Sequence, residues 1–418
     1  HDNNIIVLAE GVETKEELKM VIQLGVDLIQ GYYTARPSEE IVVSISKSVK
    51  NEILEYNRIG SDYKGRQVYV SGKESHISLP RLVAEKYSII EISDEGTKEV
   101  TISGMADMET DIYLRVKSGY QGKIILDNVA LQGKRHGASI DIGNDCDVTL
   151  ILRGENQCLN GGIRIPEDSR LTLEGEGHLY IMVDGANYFG IGNDFNARHG
   201  ELVFEQSGCI EIKGNGMKGI GIGSGFGGPI RIHRGKYVIR MIGQDGVGIG
   251  SYSGDVDPLM KDCDVRIDMA TARAVGVGSI MGSANIHLEY LAWNGELNAE
   301  EAIGLGTFAG KKSEVGISHA NVMINLFAAR ACGIGANNGM VSMYVDRSSV
   351  TVAGDGTEAV AWGNQSRSAK IRVNAGKMES RLHTALAVNV GVTDENVTLD
   401  KSEYHYMKNG ETVILKAE

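Results

Sequence analysis

The chain has 418 residues, with 54 glycines against 5 prolines and 6% aromatic residues, which argues against collagen and against a Pro-rich disordered chain. Its 42 basic and 55 acidic residues leave a formal charge of −13 without any basic cluster, so no DNA or RNA duplex is expected as a partner. No apolar run reaches the roughly 20 residues that span a bilayer and no signal segment opens the chain, so no membrane span and a cytoplasmic location are expected.

The apolar run Ile5-Ile6-Val7-Leu8-Ala9 predicts a strand of a parallel sheet, with Glu10 at its C-terminal end. Thr14-Lys15-Glu16-Glu17 fits a capping box, and Leu18, Val21 and Ile22 form the apolar stripe of a helix that Gly25 ends. A second strand, Val26–Ile29, leads into Gln30-Gly31-Tyr32. Beyond Pro37, Ser38 can cap another helix with Glu39 and Glu40 in its first turn and Ile41, Val42 and Ile45 as anchors. This βαβα order is the unit of an α/β barrel or a doubly wound sheet.

The segment Val7-Leu8-Ala9-Glu10-Gly11-Val12-Glu13-Thr14, followed by Gln30-Gly31-Tyr32 and Arg36-Pro37, resembles the last two strand-helix units of an EAL domain. The resemblance covers residues 1–58 and implies the remnant of a TIM-type barrel whose family hydrolyses cyclic di-GMP with metal assistance. It also implies roles. Glu10 would belong to the shell of a Mg²⁺ or Mn²⁺ ion and its water, Glu13 would hold an active-site loop, and Gln30 would position the attacking water or the substrate. Polar residues directly after barrel strands lie on the face where such enzymes build their sites; the alternative is that Glu10 and Gln30 only cap strand ends. The family's E-A-L strand, its other acidic ligands and its catalytic lysine are expected upstream of His1. Two strands cannot close an eight-stranded barrel, so the chain alone is expected to be inactive.

The polar stretch from Gly60 to Arg66 marks a boundary. Past it, one phrase recurs: Gly190-Ile191-Gly192, Gly221-Ile222-Gly223, Gly248-Ile249-Gly250, Gly276-Val277-Gly278, Gly304-Leu305-Gly306, Gly333-Ile334-Gly335 and a worn copy, Ala361-Trp362-Gly363. The final glycines are 31, 27, 28, 28, 29 and 28 residues apart, a period that signals stacked repeats. Two alternating phrases accompany each period. One gives Ile230-Arg231-Ile232, Ile286-His287-Leu288, Val315-Gly316-Ile317, Met343-Tyr344-Val345 and Ile371-Arg372-Val373; the other gives Ile210-Glu211-Ile212, Val265-Arg266-Ile267, Val322-Met323-Ile324 and Val350-Thr351-Val352. Period-two alternation turns the aliphatic side chains inward.

Three short strands per coil of about 28 residues predict a right-handed, single-stranded parallel β-helix with three sheets and eleven or twelve coils. Less regular coils begin near Val100-Thr101-Ile102 and Ile124-Ile125-Leu126. The expected organisation is an EAL fragment over 1–58, a linker over 59–79, the β-helix over 80–405 and a C-terminal cap or tail over 406–418.

Phosphate binding by the glycine phrases is not expected, because strands rather than helices follow them; close packing at a coil edge explains them better. Phe195, Phe226, Tyr252, Ile280 and Phe308 follow the phrase in consecutive coils and should stack in a file. Turned inward they form an aromatic ladder, and turned outward Phe195, Phe226, Tyr252 and Phe308 form a ligand platform for sugar rings. The run from Ile124 to Asn193 also resembles bacterial carbohydrate-binding repeat domains, which implies a glycan or protein partner and no cofactor for the β-helix. Asp141, Asp145, Asp194 and Asp255 sit at turns, and no acidic pair is singled out for glycosidase or lyase chemistry. Cys146, Cys158, Cys209, Cys263 and Cys332 lack metal-ligand spacing and read as free, buried thiols in a reducing compartment.

The function expected from these features is cyclic-di-GMP signalling, by a phosphodiesterase-type domain fused to a β-helix that senses or docks. The alternative is a non-catalytic, carbohydrate- or protein-binding β-helix with a degenerate EAL remnant.

Overall fold

The computed structural model describes residues 6–24, 26–37, 44–46, 48–50, 52–53, 67–93, 97–105, 108, 110–133, 137–337, 339–364, 369–391, 397–408 and 411–416. The chain divides into two compact units, His1–Tyr69 with Lys86–Ile89 and Val70–Glu85 with Ile90–Glu418.

In the first unit, the strands Leu8–Ala9 and Leu28–Ile29 pair in parallel, Leu8 with Leu28 and Ala9 with Ile29. Between them runs the helix Lys15–Gln23, whose capping box is complete: Thr14 Oγ1 accepts from the Glu17 amide, and the Glu17 carboxylate accepts from the amides of Glu13 and Thr14. Those two amides hold the Glu17 carboxyl below its ordinary pKa. Leu18 and Ile22 turn inward onto Val12 and Val49, as the apolar stripe requires. The helix expected after Pro37 and the boundary at Gly60–Arg66 lie outside the described residues.

The second unit is a parallel β-solenoid of about eleven coils. Of the three phrase families read from the sequence, one occupies its own sheet and the other two share a second. Ile230–Ile232, Ala284–Glu289, Lys312–Ser318, Met340–Asp346 and Lys370–Asn374 belong to a sheet of thirteen short strands. The other phrases lie in a seventeen-stranded sheet that contains eight strands of 15 to 17 residues, from His178–Gly192 to Lys377–Gly391.

The expected three sheets are therefore two. The reason lies at one corner, where Gly243 pairs with Thr271 and Asp245 with Arg273, so only the intervening residue drops out of the ladder. Pairing resumes at once and two faces share one bent strand.

Columns of inward side chains fill the interior. One runs Leu179, Ile210, Tyr237, Val265, Trp293, Val322, Val350 and Met378, in strict register. All of these are at most 3% exposed, and each fully buried aliphatic group contributes on the order of 1.5–3 kcal/mol. Beside the largest of them, Gly295 leaves room for the indole: a Cβ there would stand 2.2 Å from Trp293 Cη2.

The Gly-x-Gly phrase has the same logic. Its middle residues Ile222, Ile249, Val277, Leu305 and Ile334 are fully buried, while its final glycines carry φ near +140°. A Cβ on Gly250 would stand 1.9 Å from the carbonyl oxygen of Gly278 in the next coil. Only glycine fits. Directly after the phrase, the buried hydroxyls of Ser279 and Thr307 close the turn: they accept from the amides of Gly282 at 2.8 Å and Gly310 at 3.0 Å.

Ser78 precedes a short helix, Leu79–Ala84, with Pro80 in its first turn, and the thirteen-stranded sheet already includes His76–Ser78. At the other end, Glu403–Lys408 pairs antiparallel with Glu411–Lys416.

Candidate functional site

In the first unit the parallel register ends at Ala9 and Ile29, and Glu10 and Gln30 are the residues that directly follow these paired strand ends. The Gln30 amide donates to Ala9 O at 2.8 Å, and the Val12 amide donates to Gln30 O at 3.1 Å. The glycine of Gln-Gly-Tyr has a packing reason, since a Cβ on Gly31 would stand 2.0 Å from Val12 O. Glu10, Glu13 and Gln30 are all exposed. Glu13 lies at the start of the helix, where its amide is held by Glu17 at 2.8 Å.

Behind this edge, Tyr33 Oη donates to Glu52 Oε2 at 2.9 Å, and Lys15 lies 3.4 Å from Glu52 Oε1. Burial, and then this bond to a carboxylate, push the Tyr33 phenol up to about 12. Leu8 and Leu28, neighbours across the two strands, are 47% and 54% exposed. An apolar pair so exposed is a surface that other strands or helices would cover.

Among the described residues no three His, Cys, Asp or Glu side chains gather in a way that could hold a metal ion. One carboxylate, Glu10, stands at the strand ends. A divalent cation needs several oxygen ligands, so the described residues do not by themselves fit one.

In the solenoid, the aromatic file turns mainly inward. Ile280 and Phe308 are buried in a cluster with Ile220, Val247, Val275 and Ile303, and Phe195 and Tyr252 pack against it. The rings of Phe195 and Tyr252 lie 5.5 Å apart, tilted by 57°. Phe226 alone departs, at 44% exposed. The inward turn follows from the Gly-x-Gly phrase, which leaves the chain at the rim of the core.

Three of the four aspartates expected at turns lie outside strands: Asp255 accepts from the Ser283 amide at 2.7 Å, and Asp145 occupies a left-handed turn position with φ 55°. Asp141 instead lies within the strand Ile140–Ile142, where its outward carboxylate is held by Arg164 of the neighbouring coil. All five cysteines are free; Cys209 is half-buried and the others are buried. Burial pushes the thiols of Cys158 and Cys332 up to about 12.

A file that sequence reading missed runs along the bent strands: Lys218, Asp245, Arg273, Glu301, Arg330 and Glu358, in register and alternating in sign. Asp245 also accepts from Tyr252 Oη at 2.8 Å, and Lys218 Nζ lies 4.7 Å from the Tyr252 ring centre. Equally unmarked were the middle residues of three consecutive short strands, His287, Gly316 and Tyr344, although their phrases align in the sequence.

The fold and the strand-end pair thus define a parallel β-solenoid that carries an EAL-like segment. The EAL domain family profile matches residues 1–37, under a tenth of the chain, and supports a link to cyclic-di-GMP signalling. No curated protein and no solved structure matches the chain. No helix among the described residues is long and apolar enough to cross a membrane.

Proposed function

We propose that this chain is part of a cytoplasmic cyclic-di-GMP signalling protein, in which the EAL segment contributes to a metal-dependent phosphodiesterase and the solenoid senses or docks. The observation that carries this reading is the placement of Glu10 and Gln30 together at the ends of paired strands, inside the stretch that matches the EAL family. In this reading Glu10 supplies one oxygen to a shell completed by carboxylates from other strands, and Gln30 orients the water or the substrate. Leu8 and Leu28 are the face those strands would cover.

The test uses a protein that joins this segment to a full set of EAL strands. Hydrolysis of cyclic di-GMP in Mg²⁺ or Mn²⁺ is expected, and Glu10→Gln should lower it by about a hundredfold. Undiminished turnover by that variant would remove the assigned role.

A second reading, non-catalytic docking by the solenoid with a degenerate EAL segment, is favoured by rings that the solenoid turns outward, such as Tyr344 at 48% and Phe226 at 44% exposed. Retained binding of cyclic di-GMP without any hydrolysis would support it over the first.

A further inference from the structure

Gly316 lies in the middle of the strand Lys312–Ser318 and on its outer face. Register sets it between His287 of the preceding coil and Tyr344 of the following one. A glycine inside a strand weakens it and is kept where something must come close to the backbone. At Gly250 that something is the next coil. At Gly316 the nearest groups belong to the preceding coil and stand only at ordinary contact distance: a Cβ would lie 3.6 Å from His287 Nδ1 and 3.9 Å from Ile286 O, and nothing from the following coil lies within 4 Å.

The missing side chain leaves a notch between two rings. His287 and Tyr344 are both exposed, Tyr344 at 48%, and their strands are two spacings apart, about 9.6 Å. One flat ring placed between them would lie about 4.8 Å from each, inside the range of roughly 4.5–7 Å over which rings stack. Two residues away on the same outer faces stand Asn285 and Glu289 beside His287, and Ser342 beside Tyr344. These groups accept from and donate to hydroxyls.

We infer that the notch binds one pyranose ring of a neutral oligosaccharide, with its C–H faces on His287 and Tyr344 and its hydroxyls on Asn285, Glu289 and Ser342. The same face carries both signs: Glu289 and Asp346 share it with Arg372, which follows Tyr344 in register, and Glu314 is paired with Lys312 at 2.8 Å, so the face is close to neutral and suits an uncharged ring better than a nucleotide phosphate. The inference rests on the reading of the solenoid as a docking module and is independent of the EAL segment.

The test is calorimetric titration of the full chain with short gluco-, manno- and galacto-oligosaccharides, and with GMP as the flat anionic competitor. Wild type should bind at least one of the sugars and not GMP. Gly316→Phe, which fills the notch, and Tyr344→Ala, which removes one wall, should each weaken binding by about tenfold or more. Thr351→Ala, on the other sheet, should bind as wild type does, and Gly316→Phe should unfold at no lower temperature than wild type. Unchanged binding by both notch variants, or preference for GMP, would overturn the notch while leaving the solenoid a binding surface. Failure of wild type to bind any of the sugars would overturn the inference as a whole, without touching the cyclic-di-GMP reading tested at Glu10.

Discussion

Arg273 and Asp245, 28 residues apart in sequence, meet across adjacent coils in a bidentate pair: Nε donates to Oδ1 at 2.8 Å and Nη2 to Oδ2 at 2.8 Å. Asp245 is 8% exposed and Arg273 about two-fifths, so the pair is half shielded from water. In-register parallel stacking places equivalent side chains one above the next, where like charges would repel, and the alternation from Lys218 to Glu358 avoids this.

Asp245→Asn should therefore cost about 1–2 kcal/mol, because it leaves the Arg273 guanidinium without its counter-charge and weakens the bond from Tyr252. Asp245→Lys should cost more, by setting three cations in a row. Urea unfolding measures both, and a double-mutant cycle with Arg273→Met should return a coupling near 1 kcal/mol.

Gly250→Ala should destabilise the solenoid by about 3 kcal/mol or more, since φ is +140° and the new Cβ would meet the Gly278 carbonyl. Gly316→Ala, whose Cβ would meet His287 Nδ1 only at an ordinary 3.6 Å, should instead raise stability by roughly 0.5 kcal/mol. Thermal unfolding of the two variants side by side shows whether the phrase glycines and the notch glycine differ in this way.

His199 is 1% exposed and its Nδ1 donates to Gly200 O at 2.7 Å. Burial holds the imidazole down to about 4. Between that value and its ordinary 6.5 the unfolded chain binds the extra proton and the folded chain does not. Stability is then full above about pH 6.5 and falls as the pH drops toward 4, by about 3 kcal/mol in total. Denaturant midpoints measured from pH 7 to pH 4.5 should fall less steeply in His199→Asn.

Thiol labelling separates the cysteines. Cys209 is half-buried, whereas Cys158 and Cys332 combine full burial with a thiol held near 12, which suppresses the reactive thiolate. Native protein treated with Ellman's reagent should release about one equivalent, traced to Cys209 by mass spectrometry, and denatured protein all five.

The coils were legible because alternation and a period near 28 residues are local signals, as in Ile286-His287-Leu288 and Val315-Gly316-Ile317. The placement of Glu10 and Gln30 after paired strands was legible through its motif. The shared bent strand was not: whether a ladder breaks at a corner such as Gly243 depends on backbone geometry that no residue type announces. The turn after each short strand was equally silent, since Asp262, Tyr290, His319 and Arg347 all adopt left-handed φ of 45–51° without the glycine that usually marks it. The charge file needed exact neighbours, and spacings that vary between 27 and 31 residues blur them.

Register is the premise on which the charge file, the glycine contacts and the ring notch all stand. Spin labels at Glu211 paired in turn with Asn294, Thr351 and Glu379, which lie three, five and six coils along one outward file, test it by pulsed dipolar spectroscopy. The account predicts separations of about 14, 24 and 29 Å, rising by about 4.8 Å for each coil. Separations that do not grow with coil number, or that fall between the first and last pair, would contradict it.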